Sequence, residues 1–133
     1  MAVTGLDHVV IRVKDIDVAV ESYRKLGMEL TQTLETPAIG KQAIFRMPNG
    51  TFIELVAPLS PESPIGRAIE SRGEGVHSVV VTVSDLEQTV ADMQENGAQV
   101  IQTEELKSHA FVHPKSTHGV LLQVQQKEAP DPR

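Results

Sequence analysis

Residues 6–30 and 76–100 are one segment written twice. LDHVVIRVKDIDVAVESYRKLGMEL lies on VHSVVVTVSDLEQTVADMQENGAQV without a gap, pairing Val13 with Val83, Asp15 with Asp85, Val20 with Val90 and Gly27 with Gly97. A tandem duplication commits a chain to two copies of one supersecondary unit, with equivalent positions arranged about a shared pseudo-symmetric interior. A metal or ligand held there draws on both copies. The chemically loaded position of the repeat does not match, because His8 faces Ser78.

A chain of 133 residues has the size of one domain and can bury a core without covalent staples. It has no cysteine, which excludes disulfides, thiolate metal sites and cysteine nucleophiles and is compatible with a reducing compartment. The first residues lack a basic stretch followed by an apolar core, and no run approaches the ~18 apolar residues of a membrane span. A soluble, cytoplasmic protein with no membrane partner is expected. The net charge of −6 and the scattered basic residues remove the electrostatic footprint of a nucleic-acid binder. One tyrosine and three phenylalanines leave little for base stacking. A small-molecule substrate or ligand remains.

HVVIRV and the matching VVVTV at 79–83 alternate in β-branched runs and read as strands. Each is followed by an Asp cap and helical spacing, Asp15 or Asp17 leading into Val18, Val20, Tyr23 and Leu26, and Asp85 into Leu86, Val90 and Met93. Gly27 and Gly97 end those helices. Extended segments follow at 28–33, 42–47 and 51–57 in the first copy and at 98–103, 110–113 and 120–124 in the second, with Pro48-Asn49-Gly50 as a turn. Each copy is therefore a βαβββ module, 5–58 and 75–126. The connector 59–74 carries a short helix near 65–71 and belongs within a single domain, 1–128. Residues 129–133 have the composition of a flexible tail.

The paired modules, with the strings LDHVVIRVKDID, FIELVAPLSPESPI, RGEGVHS and HPKSTHGVLLQV, resemble the vicinal oxygen chelate (glyoxalase/bleomycin resistance/dioxygenase) superfamily, and within it the methylmalonyl-CoA epimerases. The resemblance spans roughly residues 5–126. It implies an α+β fold in which two tandem βαβββ modules form a half-open, barrel-like mixed sheet around a divalent metal, and an isomerase or lyase of the glyoxalase type. It also implies a homodimer. The family's metal ligands sit on the first and last strands of each module. Carried over by the local strings, they fall on His8, Glu54, Ser78 and Gln123, where the family has His, Gln or Glu, His and Glu. His77 adjoins the third position, and Ala38 stands where epimerases carry an acid/base Glu.

Two imidazoles and two carboxylates suit cobalt, nickel, manganese or zinc. His8, Glu54, an amide and a hydroxyl make a poorer donor set, and the resemblance with these replacements implies weak metal binding or none. His77 would serve only if a bulge turned it inward, since successive strand residues point to opposite faces. Glu54 and His8 are the candidate catalytic pair. Ser78, Gln123, Lys115, Ser116 and Thr117 are candidate substrate contacts, the last three because the HPKST loop borders the family's pocket. Other readings stay open: Gln123 also fits the polar face of a strand, HPKSTHG an ordinary turn, and Arg67 and Arg72 a solvated connector or a subunit contact. The functional expectation is an enzyme acting on a small enolisable carbonyl compound or acyl thioester. A metal-free protein that binds or sequesters a small ligand is the alternative.

Overall fold

The computed structural model describes residues 3–102 and 108–127. The chain divides into two compact units, His8–His77 and the described residues of Met1–Asp7 with Ser78–Arg133. Among the described residues no helix is long and apolar enough to cross a membrane. The fold is α+β. The elements in order are β1 (Val3–Arg12), α1 (Ile16–Arg24), β2 (Gln32–Thr36), β3 (Gly40–Arg46), β4 (Phe52–Ala57), α2 (Pro64–Arg72), β5 (Gly75–Val83), α3 (Leu86–Glu95), β6 (Val100–Ile101), β7 (His109–Val112) and β8 (Leu121–Gln126).

In the first unit, residues 8–12 of β1 run parallel to β4, and β4, β3 and β2 pair antiparallel in sequence order. The parallel pair needs a long crossover between its strands, and α1, β2 and β3 supply it. Asp15 caps α1 by accepting from the amides of Asp17 and Val18. The helix ends with Gly27 at φ +90°, Gly27 N donating to Arg24 O and Met28 N to Tyr23 O, the paired bonds of a Schellman motif. Ile16, Ala19, Val20 and Tyr23 of α1 pack on Val13, Ala43, Phe45, Leu55 and Ala57. Along β3 and β4 these are alternate residues, so one sheet face is apolar and covered. Ser63 caps α2 through the amide of Gly66, Pro64 opens the helix, and Ile65 and Ala68 are buried. The connector is thus built into this unit.

The second unit repeats the plan. Residues 78–83 of β5 run parallel to β8, with β7 and then β6 antiparallel beyond. Asp85 caps α3, and Gly97 at φ +93° ends it with the same two bonds, Gly97 N to Gln94 O and Ala98 N to Met93 O. Leu86 and Val90 pack on Val83, Ala110, Val112 and Val124. Residues 3–7 belong here too, Thr4 Oγ1 donating to Thr82 O at 3.1 Å and Asp7 pairing with Lys127 at 3.3 Å.

Some expected boundaries move. The strand expected over 28–33 is Gln32–Thr36, because Met28 and Leu30 are used to pack against the first core before pairing begins. Gly40 already belongs to β3, with only 37–39 forming the turn. The strand expected over 98–103 is confined to Val100–Ile101; residue 103 and the expected tail at 129–133 lie outside the described residues.

Candidate functional site

Strand alternation sorts the first unit's side chains onto two faces. Ala43, Phe45, Ile53 and Leu55 meet α1. The opposite face therefore carries Gln42, Ile44 and Arg46 from β3, Phe52, Glu54 and Val56 from β4, and His8, Val10 and Arg12 from β1. In the register of β1 and β4, His8 is paired with Phe52 and Val10 with Glu54. His8 and Glu54 thus share a face on adjacent strands, one step apart along the diagonal. The His8 imidazole lies flat on Phe52, ring centroids 4.1 Å apart and planes inclined by 9°. The Arg46 guanidinium stands over the same phenyl ring at 4.9 Å from its centroid, within cation–π range.

Glu54 is half-buried. Its Oε2 accepts from Gln42 Nε2 at 3.1 Å, and Gln42 Oε1 accepts from Thr36 Oγ1 at 2.6 Å. Gln42 is only 6% exposed, so its amide makes its hydrogen bonds inside the protein, while Thr36 and Glu54 are half-buried. Thr36, Gln42, Phe52 and Arg46 were not among the site residues expected from sequence. Their signal was present, since a turn at Pro48-Asn49-Gly50 sets Ile44 opposite Glu54 and alternation then puts Gln42 and Arg46 on Glu54's face.

Ser78 is buried and opens a regular run of pairs with β8, Ser78 with Leu121 and Val80 with Gln123. The second unit's face opposite α3 therefore carries Ser78, Val80, Gln123 and, through the β7 pairing, Phe111. His77 precedes this run by one residue and takes the other parity. Its Nδ1 is buried with no hydrogen-bond partner among the described residues. Burial first, and then the charges of Arg12 and Arg72, push its pKa below the ordinary value. Arg12 is itself fixed, Nε donating to Gly73 O at 2.7 Å and Nη1 to Val76 O at 2.8 Å. An imidazole next to two guanidiniums is a poor place for a further cation.

HPKST forms a short 3₁₀ turn, Pro114–Ser116, whose first carbonyl belongs to His113. His113 Nδ1 accepts from the Lys115 amide at 3.0 Å. Ser116 Oγ accepts from the Gln99 amide at 2.9 Å, and Thr117 Oγ1 donates to Val120 O. Two of the three candidate anchors thus hold the loop itself. Lys115 is exposed and its ammonium pairs with no carboxylate among the described residues. Ala38 is exposed in the 37–39 turn.

Among the described residues no group of three or more His, Cys, Asp or Glu side chains could hold a metal ion. The four positions carried over from the family offer one carboxylate and one imidazole in the first unit and one hydroxyl and one amide in the second.

Residues 7–112 match the sequence profile of the Glyoxalase/Bleomycin resistance protein/Dioxygenase superfamily. An ethylmalonyl-CoA/methylmalonyl-CoA epimerase of Cereibacter sphaeroides is 34% identical over 129 residues, covering 91% of this chain and 96% of that protein. The crystal structure of methylmalonyl-CoA epimerase from Mycobacterium tuberculosis is similar with a TM-score of 0.77 at 34% identity, over 96% of this chain and 90% of the other. A variant of the Streptomyces coelicolor methylmalonyl-CoA epimerase in complex with 2-nitronate-propionyl-CoA is similar with a TM-score of 0.76 at 28% identity, over 97% and 100%. The chain belongs to the glyoxalase/bleomycin resistance/dioxygenase superfamily, as a methylmalonyl-CoA epimerase-like member.

Proposed function

We propose that the chain is an enzyme that moves a proton on the carbon next to the carbonyl of an acyl-CoA thioester or similar small enolisable compound, with Glu54 as the base and His8 as its partner. The observation that carries this reading is the Glu54 carboxylate, half-buried on the face opposite α1, with one oxygen held by Gln42. A carboxylate in this setting can take the α-proton: the C–H bond breaks, its electron pair moves toward the carbonyl oxygen, and the same carboxylic acid returns the proton. Lys115, Ser116 and Thr117 are assigned to the acyl-CoA, Lys115 as the charge available to an anionic group. Ser78 and Gln123 are assigned as further substrate contacts.

The family resemblance implies an acid/base Glu where this chain has Ala38, and on that reading Glu54 is the one carboxylate in these roles. We therefore infer proton exchange or isomerisation from one face rather than two-base epimerisation. The donor set of His8, Glu54, Ser78 and Gln123 does not fit the divalent metal of the family, and no step is assigned to one. The test is deuterium uptake at the α-carbon of methylmalonyl-CoA in D2O, followed by NMR, with chelator-stripped protein. Exchange that falls by about 10²-fold or more in Glu54→Gln and is unchanged by added cobalt supports the reading. Exchange that appears only with cobalt returns the metal to the mechanism.

A second reading rests on the same replacements at Ala38, Ser78 and Gln123: a metal-free protein that binds a small ligand without turning it over. Calorimetry showing saturable acyl-CoA binding, with no deuterium uptake in the same sample, selects it.

A further inference from the structure

We propose that Thr36 and Gln42 are positioning residues for Glu54, forming a relay that fixes where its carboxylate points. The inference rests on the reading of Glu54 as the reacting carboxylate. An ionised carboxylate only accepts hydrogen bonds. Gln42 must then present its Nε2 to Glu54, as it does at 3.1 Å, and this turns Oε1 away, toward the Thr36 hydroxyl at 2.6 Å. Thr36 donates. The direction of every bond follows from the charge on Glu54, and no member is free to rotate without breaking a bond at a buried position.

The register explains why three residues from three strands meet. Gln42 is paired with Leu34 across β2 and with Val56 across β4. Thr36 lies two residues beyond Leu34, and Glu54 two before Val56, so both are same-face diagonal neighbours of Gln42. Such neighbours are within reach of a side chain as long as glutamine. A side-chain amide held at both ends loses little further freedom when Glu54 engages a substrate. An alignment of the base held in advance of binding acts on the turnover step rather than on affinity.

The informative variant is Thr36→Val, which keeps shape and strand preference and removes only the hydroxyl that fixes Gln42 Oε1. Deuterium exchange into methylmalonyl-CoA by the protein gives kcat and KM. The expected result is a kcat lower by about tenfold at unchanged KM, restored by Thr36→Ser, with Gln42→Leu at least as impaired. In a Glu54→Gln background Thr36→Val is expected to have no further effect. Wild-type kcat in Thr36→Val, a loss that Ser does not restore, or an equal further loss in the Glu54→Gln background overturns the inference while leaving Glu54 as the base. Exchange that is absent from the wild type, or that survives Glu54→Gln, overturns the functional reading and the relay with it.

Discussion

At the scale of single residues, His77 carries a buried Nδ1 without a hydrogen-bond partner among the described residues, and leaving such an atom unsatisfied costs stability. Its pKa lies below 6.5 because burial, and then Arg12 and Arg72, disfavour the imidazolium. Above pH about 6.5 the ring is neutral folded and unfolded, so it adds no pH dependence. As pH falls through that value the unfolded chain takes up the proton and the folded chain does not, so stability is lost until the folded ring also protonates. His77→Gln should remove this component. Thermal melts at pH about 7.5 and about 5.5 should show a smaller loss in the variant than in the wild type; equal losses would mean that the ring titrates as it does in the unfolded chain. The pairing of His8 with Phe52 and the Thr36-Gln42-Glu54 relay were less legible in the sequence. Alternation assigns a face but not a rotamer, and whether an imidazole turns its edge or its plane to a neighbour depends on packing in three dimensions.

At the scale of elements, the two helices were legible because both copies use the same local devices. Asp15 and Asp85 each satisfy backbone amides that a helix start leaves unpaired, and Gly27 and Gly97 each close with the same pair of bonds. Asp15→Ala and Asp85→Ala are each expected to cost about 1 kcal/mol in denaturant melts. A cap whose loss costs nothing would show that its helix is held by packing alone. Strand edges were less legible. Gly40 explains one case: it stands at φ +125°, and a Cβ there would be 2.2 Å from the carbonyl oxygen of Ala57. The turn before β3 can therefore be tight only with glycine at its exit. Gly40→Ala should destabilise by about 1–3 kcal/mol, a larger loss than either cap. Stability equal to wild type would mean that β3 and β4 separate at this corner without penalty.

At the scale of the molecule, the duplication made two βαβββ modules legible, but not the parallel pairing of first with last strand that each unit shows. It did not reveal that α2 and the rest of the connector belong to His8–His77, or that residues 3–7 belong with Ser78 onward. Those assignments depend on contacts between segments far apart in sequence, such as Arg12 with Gly73 and Thr4 with Thr82, and no periodicity encodes them. Each unit has its own core: Phe45 and Leu55 are fully buried in the first, Leu86 and Val124 in the second. Removing a large buried side chain forfeits its transfer free energy and leaves a cavity, about 3–5 kcal/mol for Phe to Ala and about 2–5 kcal/mol for Leu to Ala. Such losses approach the whole stability of a small domain, about 5–15 kcal/mol, so they are best read under native conditions by amide hydrogen exchange. Because each cavity opens in one core, Phe45→Ala should speed exchange most in β3, β4 and α1, and Leu86→Ala most in β7, β8 and α3. If either variant accelerates both sets of amides equally, the two cores open as a single cooperative unit, and the duplicated modules do not retain separate stabilities.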